Sequence, residues 1–171
     1  GIGAAAILVA RIFGARAIGI VSSPEKAAYV LGLGALAAID RTTEDFLART
    51  LELTEGRGAD RIVDVAGGPT AAQNIEAAAR FGHIVVIATL AGRTAEIPLY
   101  RLMARQLTIS GSTLRPQTSA TKAAIAARLL HDVWPKLGAL QRQRLHTFPL
   151  TEAAAAHRAM EAPEHYGKTL L

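Results

Sequence analysis

The chain opens with Gly1-Ile2-Gly3 and runs straight into Ala4-Ala5-Ala6-Ile7-Leu8-Val9-Ala10. Glycine ahead of an alanine-rich apolar run reads as a turn at a helix N-terminus. There the unpaired backbone N–H groups and the positive end of the helix dipole suit an anion such as a phosphate or pyrophosphate. Glycine lets that anion come close to the backbone because no Cβ stands in the way. A capped core helix explains a lone G-x-G nearly as well, so the residues beyond the helix decide the matter.

A second group of residues comes after the next strand. Residues 16–21 read as a short buried strand, and Ser22-Ser23 come directly after it, with Lys26 close behind. In dinucleotide-binding folds an acidic residue at this place accepts the ribose 2′-hydroxyl. Serines in its stead, with Lys26 near and Arg41 following the next predicted strand, suit a 2′-phosphate held by charge-assisted hydrogen bonds.

Other chemistries find no support. The sequence has no cysteine, which removes disulfides, thiolate catalysis and cysteine-ligated zinc. His83, His131, His146, His157 and His165 show neither i, i+4 spacing nor an H-E-x-x-H pattern, so no metal site is expected. No G-x-S-x-G elbow is present. Tyr29, Tyr100 and Tyr166 all lack the Lys four residues on that a short-chain dehydrogenase needs. Residues 162–169 fit a degenerate phosphate loop, but they follow a predicted helix and run into an apolar end, the reverse of the strand-to-helix context such a loop requires.

The elements that must position these residues alternate regularly. Ser23 as N-cap with Pro24 at the first helical position starts a second helix, which Gly32 and Gly34 close. A strand over 37–39 comes next, then a helix from a Thr42/Asp45 capping box to about Gly56. Strands are predicted over 60–66, 83–89, 107–112, 145–148 and 168–171, and helices over 70–80, 98–106, 120–130 and 152–161, with a short helix restarting at Pro135. Such alternation predicts an α/β fold, a doubly wound parallel sheet of the Rossmann kind, in one domain covering 1–171. The turns at Ser22, Gly67 and Thr89 all follow strand ends and are expected to line one crevice.

The 171 residues suit one domain with a real core, and 19% charged residues suit a globular protein. Net charge is +5, but the basic residues are scattered and the densest run is Gln141-Arg142-Gln143-Arg144. With four Phe, three Tyr and one Trp there is little for bases to stack on, so no nucleic acid is expected. The longest apolar run stops at Arg11, short of the ~20 residues a membrane span needs, and a cytoplasmic location is expected. With no initiator Met and no basic-then-apolar leader, the start reads as a cut inside a longer chain, truncating the domain at its N-terminus.

Several runs together resemble a family. They are Gly1-Ile2-Gly3, Phe13-Gly14-Ala15-Arg16, Leu33-Gly34-Ala35, Ile39-Asp40-Arg41, Asp64-Val65-Ala66-Gly67-Gly68, Gly111-Ser112-Thr113-Leu114-Arg115-Pro116, Val133-Trp134-Pro135, Phe148-Pro149-Leu150 and Gly167-Lys168. Over nearly its whole length the chain resembles the C-terminal, cofactor-binding part of the zinc-independent quinone oxidoreductases. These belong to the medium-chain dehydrogenase/reductase superfamily, and the likeness is to the inducible NADPH quinone reductase subgroup related to zeta-crystallin. The resemblance implies a Rossmann domain lacking its first strand, NADPH as hydride donor, a quinone or related enone as acceptor, and no zinc. It implies that Gly1, Ile2 and Gly3 lie at the pyrophosphate, that Ser22, Lys26 and Arg41 surround the 2′-phosphate, and that Ala88, Thr89 and Leu90 lie near the nicotinamide. It also implies a homodimer seam along strand 107–112, which should be a sheet edge. The chain departs from the family where Asp40-Arg41 replaces its usual Asn-Tyr, and the family's substrate domain is absent, so the isolated chain is not expected to turn over quinones. An enoyl-thioester reductase of the same superfamily, or a nucleotide-binding fragment without catalysis, are the alternatives.

Overall fold

Ala4, Ile7 and Leu8 fall on one face at helical spacing, and that face is the one that the first helix, α1 (Ile2–Ile12), buries. The computed structural model describes residues 1–140 and 143–171. Of the densest basic run, Gln141 and Arg142 therefore lie outside the described residues. After α1 come β1 (Ile18–Val21), α2 (Pro24–Gly32), β2 (Ala37–Asp40), α3 (Phe46–Leu53), β3 (Ala59–Asp64), α4 (Thr70–Ala77) and β4 (Ala78–Val86). Then come α5 (Leu99–Ala104), β5 (Thr108–Gly111), α6 (Ser119–Asp132), β6 (Leu145–Thr147), α7 (Ala153–Glu161) and β7 (Lys168–Leu170). Short 3-10 helices occupy Trp134–Ala139 and Leu150–Glu152.

The strand pairs β1–β2, β3–β4, β4–β5 and β6–β7 are all parallel. Alternating helices and uniformly parallel strands are the doubly wound, Rossmann-type α/β class that the sequence predicts. The hydrogen-bonded groups are β1–β2, β3–β4–β5 and β6–β7. The chain forms two compact units, Gly1–Glu44 with Ile125–Leu171, and Asp45–Ala124.

In the first unit α1 and α2 pack Ala4, Ile7, Leu8, Val30 and Leu33 together with Val21 of β1. Gly19 in β1 makes room for this, since a Cβ there would come within 3.0 Å of Val30 Cγ2. Leu33 and Ile39 are fully buried, each contributing about 1.5–3 kcal/mol over exposure. In the second unit Ile75, Ala78, Ile84 and Leu107 form the core. There β5 is an edge of its sheet, as expected for the 107–112 strand, and Ile109 on it is 40% exposed.

Two local expectations are corrected. Asp45, not Thr42, caps α3, its Oδ1 accepting from the N–H groups of Leu47 at 2.9 Å and Ala48 at 3.2 Å. Thr42 cannot cap because Asp40 engages both its backbone N–H and its hydroxyl. The helix predicted over 70–80 stops at Ala77, because Arg105 Nη1 donates to the carbonyls of Glu76 at 2.7 Å and Ala78 at 2.8 Å. Strand β4 consequently begins at Ala78, with an irregularity before its ladder resumes at His83. Residues 162–169 run from α7 into β7 rather than into a helix, as their sequence context requires.

Candidate functional site

Ser22 and Lys26 meet at the carboxyl end of β1. Ser23 Oγ accepts from the backbone N–H of Lys26 at 3.3 Å, and Pro24 sets the first turn of α2. That turn brings the Lys26 ammonium back over the strand end, where Nζ donates to Ser22 Oγ at 3.0 Å and to the carbonyl of Pro163 at 2.6 Å. The parallel register pairs Val21 with Asp40, and the N–H of Arg41 donates to Val21 O at 3.1 Å. Arg41 therefore starts one step past Val21, alongside Ser22, with its side chain exposed.

The neighbouring acid does not take up that arginine. Asp40 is buried, and its Oδ1 accepts from Thr42 N at 3.0 Å and Thr42 Oγ1 at 2.7 Å. Those two bonds, the hydroxyl's first, hold the Asp40 carboxyl below its ordinary range against the opposing effect of burial; the charge of Arg41 adds the smallest share.

Gly1 caps α1, and its nitrogen donates to the carbonyl of Gly167 at 3.3 Å. A Cβ on Gly1 would lie 3.6 Å from Lys168 Nζ, so that ammonium stands beside the N-terminus of α1. Ile2 and Gly3 are already helical and exposed, and a Cβ on Gly3 would meet nothing within 4 Å. His165 packs its ring 5.1 Å from that of His146. Burial first, then the charges of His146, the amino terminus and Lys26, push its pKa down. Arg144, the described end of the basic run, donates through Nη1 to Tyr166 OH at 2.6 Å.

In the second unit a cavity of about 350 Å³ opens at the carboxyl ends of β4 and β5. Val86, Ile87, Ala88 and Thr89 form one wall, Gly111, Ser112 and Thr113 the other, and Gln117 completes it. None of these side chains is charged. Ala88 and Thr89 thus line a cavity at a strand end, whereas Leu90 is 85% exposed and outside the lining. Sequence reasoning misses the polar groups Ser112, Thr113 and Gln117; the only signal is that the first two lie in the Gly111 to Pro116 run. Of the turns expected to line one crevice, Gly67 and Thr89 do meet, since a Cβ on Gly67 would come within 3.1 Å of Thr89 Cα. Ser22 belongs to the other unit.

Among the described residues no three His, Cys, Asp or Glu are grouped so as to hold a metal ion. No described helix is long and apolar enough to cross a membrane.

Comparison with known proteins agrees with the fold. Residues 1–129 match the zinc-binding dehydrogenase family. A quinone oxidoreductase of Pseudomonas aeruginosa is 30% identical over 174 residues, covering all of this chain and 53% of that protein. A 2-haloacrylate reductase of a Burkholderia species is 30% identical over 169 residues, covering 95% of this chain and 49% of that protein. The crystal structure of Escherichia coli quinone oxidoreductase complexed with NADPH superposes with a TM-score of 0.83 at 25% identity, over 100% of this chain and 54% of that one. The chain thus spans about half the length of these relatives.

Proposed function

This chain belongs to the zinc-binding dehydrogenase family, part of the medium-chain dehydrogenase/reductase superfamily, and on that premise we propose that it is the cofactor-binding part of an NADPH-dependent oxidoreductase acting on a quinone or related enone. The observation that supports the choice of cofactor is the contact of Lys26 Nζ with Ser22 Oγ at the carboxyl end of β1, with the β1–β2 register setting the backbone of Arg41 alongside Ser22. A 2′-phosphate brings nearly two negative charges, which a carboxylate would repel and a Lys with a forked Arg would hold. Asp40, the acid next to Arg41 in the chain, accepts from Thr42 through Oδ1.

NADPH, when bound, supplies the hydride. Gly1 and the first turn of α1, with Lys168 beside them, present donors and positive charge for the pyrophosphate. Ala88, Thr89, Ser112, Thr113 and Gln117 offer a neutral, hydroxyl- and amide-bearing wall for the nicotinamide end. That lining supports an uncharged carbonyl-activated acceptor over an anionic one, whose charge would go unpaired in it. Zinc plays no part in this reading. The exposed edge of β5 is proposed as the seam of a homodimer.

The test is the ratio of dissociation constants for NADPH and NADH, at fixed low salt, in the wild-type chain and in Arg41→Ala. The substitution is expected to cost about 1.5–3 kcal/mol of NADPH binding and little of NADH binding. Equal weakening of both, or of neither, would place the specificity elsewhere.

A further inference from the structure

Asp64 closes β3 at 5% exposure, and Asn74 lies in α4 at 9%. Asp64 Oδ1 accepts from the backbone N–H of Ala66 at 2.8 Å and of Gly67 at 2.9 Å, and Oδ2 accepts from Asn74 Nδ2 at 3.0 Å. A carboxylate only accepts, and burying one is costly unless donors surround it. These three donors fix the course of residues 65–67.

That turn is sewn to the cavity wall. Ile87 N donates to Asp64 O at 2.9 Å, Leu90 N to Val65 O at 3.4 Å and Ala91 N to Ala66 O at 2.8 Å, and Gly67 bridges Gly92. Ala88 and Thr89 lie between these fastened points. Neither Asp64 nor Asn74 lines the cavity.

We propose that Asp64 and Asn74 are a positioning pair that holds Ala88 and Thr89 in register for the nicotinamide end of the dinucleotide, acting through the 65–67 turn; this rests on the cofactor reading above. The pair is exchangeable in its chemistry. Asn74→Asp alone sets a second carboxyl against Asp64 in place of the amide donor, and the repulsion of the two carboxylates, or the proton that one must take up, loosens Asp64 from the turn that its Oδ1 anchors. Adding Asp64→Asn restores the contact: the new amide oxygen accepts from Ala66 and Gly67, and its NH₂ donates to the introduced carboxylate.

The experiment measures amide hydrogen exchange and ligand binding in the wild-type chain, in Asn74→Asp and in the Asp64→Asn/Asn74→Asp double variant. Asn74→Asp is expected to speed exchange at Ile87, Leu90 and Ala91 by about tenfold and to weaken NADPH by about tenfold. It should leave 2′,5′-ADP, which carries the adenine end without the nicotinamide, within about twofold, the scatter of such measurements being well under the 1.4 kcal/mol of a tenfold change. The double variant restores both quantities. Unchanged exchange at those three amides in Asn74→Asp overturns the proposal, as does a failure of the double variant to restore them, or an equal loss for both ligands. A wild-type chain that binds neither ligand overturns the cofactor reading instead, and the exchange rates then decide the pair by themselves.

Discussion

In the first unit the groups proposed for the 2′-phosphate are side chains, Lys26, whose Nζ donates to Ser22 Oγ, and the exposed Arg41, whose backbone the β1–β2 register sets alongside Ser22. In the second unit the turn joined to the cavity wall is fastened by the Asp64 carboxylate and by two left-handed glycines packed against Gly92. The two arrangements fail differently. Replacing the exposed Arg41 is expected to remove affinity and leave the fold almost untouched, because its side chain is not part of the core. Altering the clamped wall disturbs stability and site together, because the same bonds serve both.

Gly67→Ala gives the largest contrast. Its φ is +63°, and a Cβ there would meet Gly92 O at 2.9 Å and Thr89 Cα at 3.1 Å, backbone atoms that cannot swing aside. Strain and overpacking together should cost about 3 kcal/mol, read from the urea midpoint. A loss below about 1 kcal/mol, the level of an ordinary surface change, would show that the wall is pliable.

Gly3→Ala is the counterpart in the first unit. Gly3 is helical with open space where its Cβ would go, so the substitution should stabilise by about 0.5–1 kcal/mol. The same variant should bind NADPH less tightly if the pyrophosphate approaches the first turn of α1. Greater stability with unaltered binding, measured by thermal unfolding and titration, would restrict the anion to Gly1 and Lys168.

The smallest effect concerns Asp40. Its carboxyl is held below the ordinary range in the folded chain by Thr42, so it contributes stability above its unfolded pKa that is lost as pH falls through the folded value. Thr42→Val removes the hydroxyl donor. The Asp40 carboxyl, followed by NMR, should then titrate closer to the ordinary value of about 3.9, and the stability that Asp40 loses on acidification should shrink, because its folded and unfolded pKa values draw together. If freeing the carboxylate also draws Arg41 to it, the proposed preference for NADPH over NADH will shrink.

Local signals in the sequence are enough for the class of fold and for where Ser22, Lys26 and Arg41 stand relative to strand ends. Ser23-Pro24 sets a helix start within four residues, and the alternation of strands with helices leaves parallel pairing as the outcome. Ser22, Lys26 and Arg41 are legible for the same reason: each is fixed by its distance from a strand end. Where α4 stops is a matter of packing, since the guanidinium that takes its last carbonyls belongs to Arg105, 27 residues beyond Ala78. Packing also assigns Thr42 to Asp40 and the cap of α3 to Asp45, because both acids compete for nearby donors and local spacing does not rank them. The folded chain likewise joins Thr89 to Ser112, Thr113 and Gln117 around one cavity, and Asp64 to Asn74 beneath its wall. Those contacts cross between elements, and the bonds that make them depend on packing that no local pattern encodes.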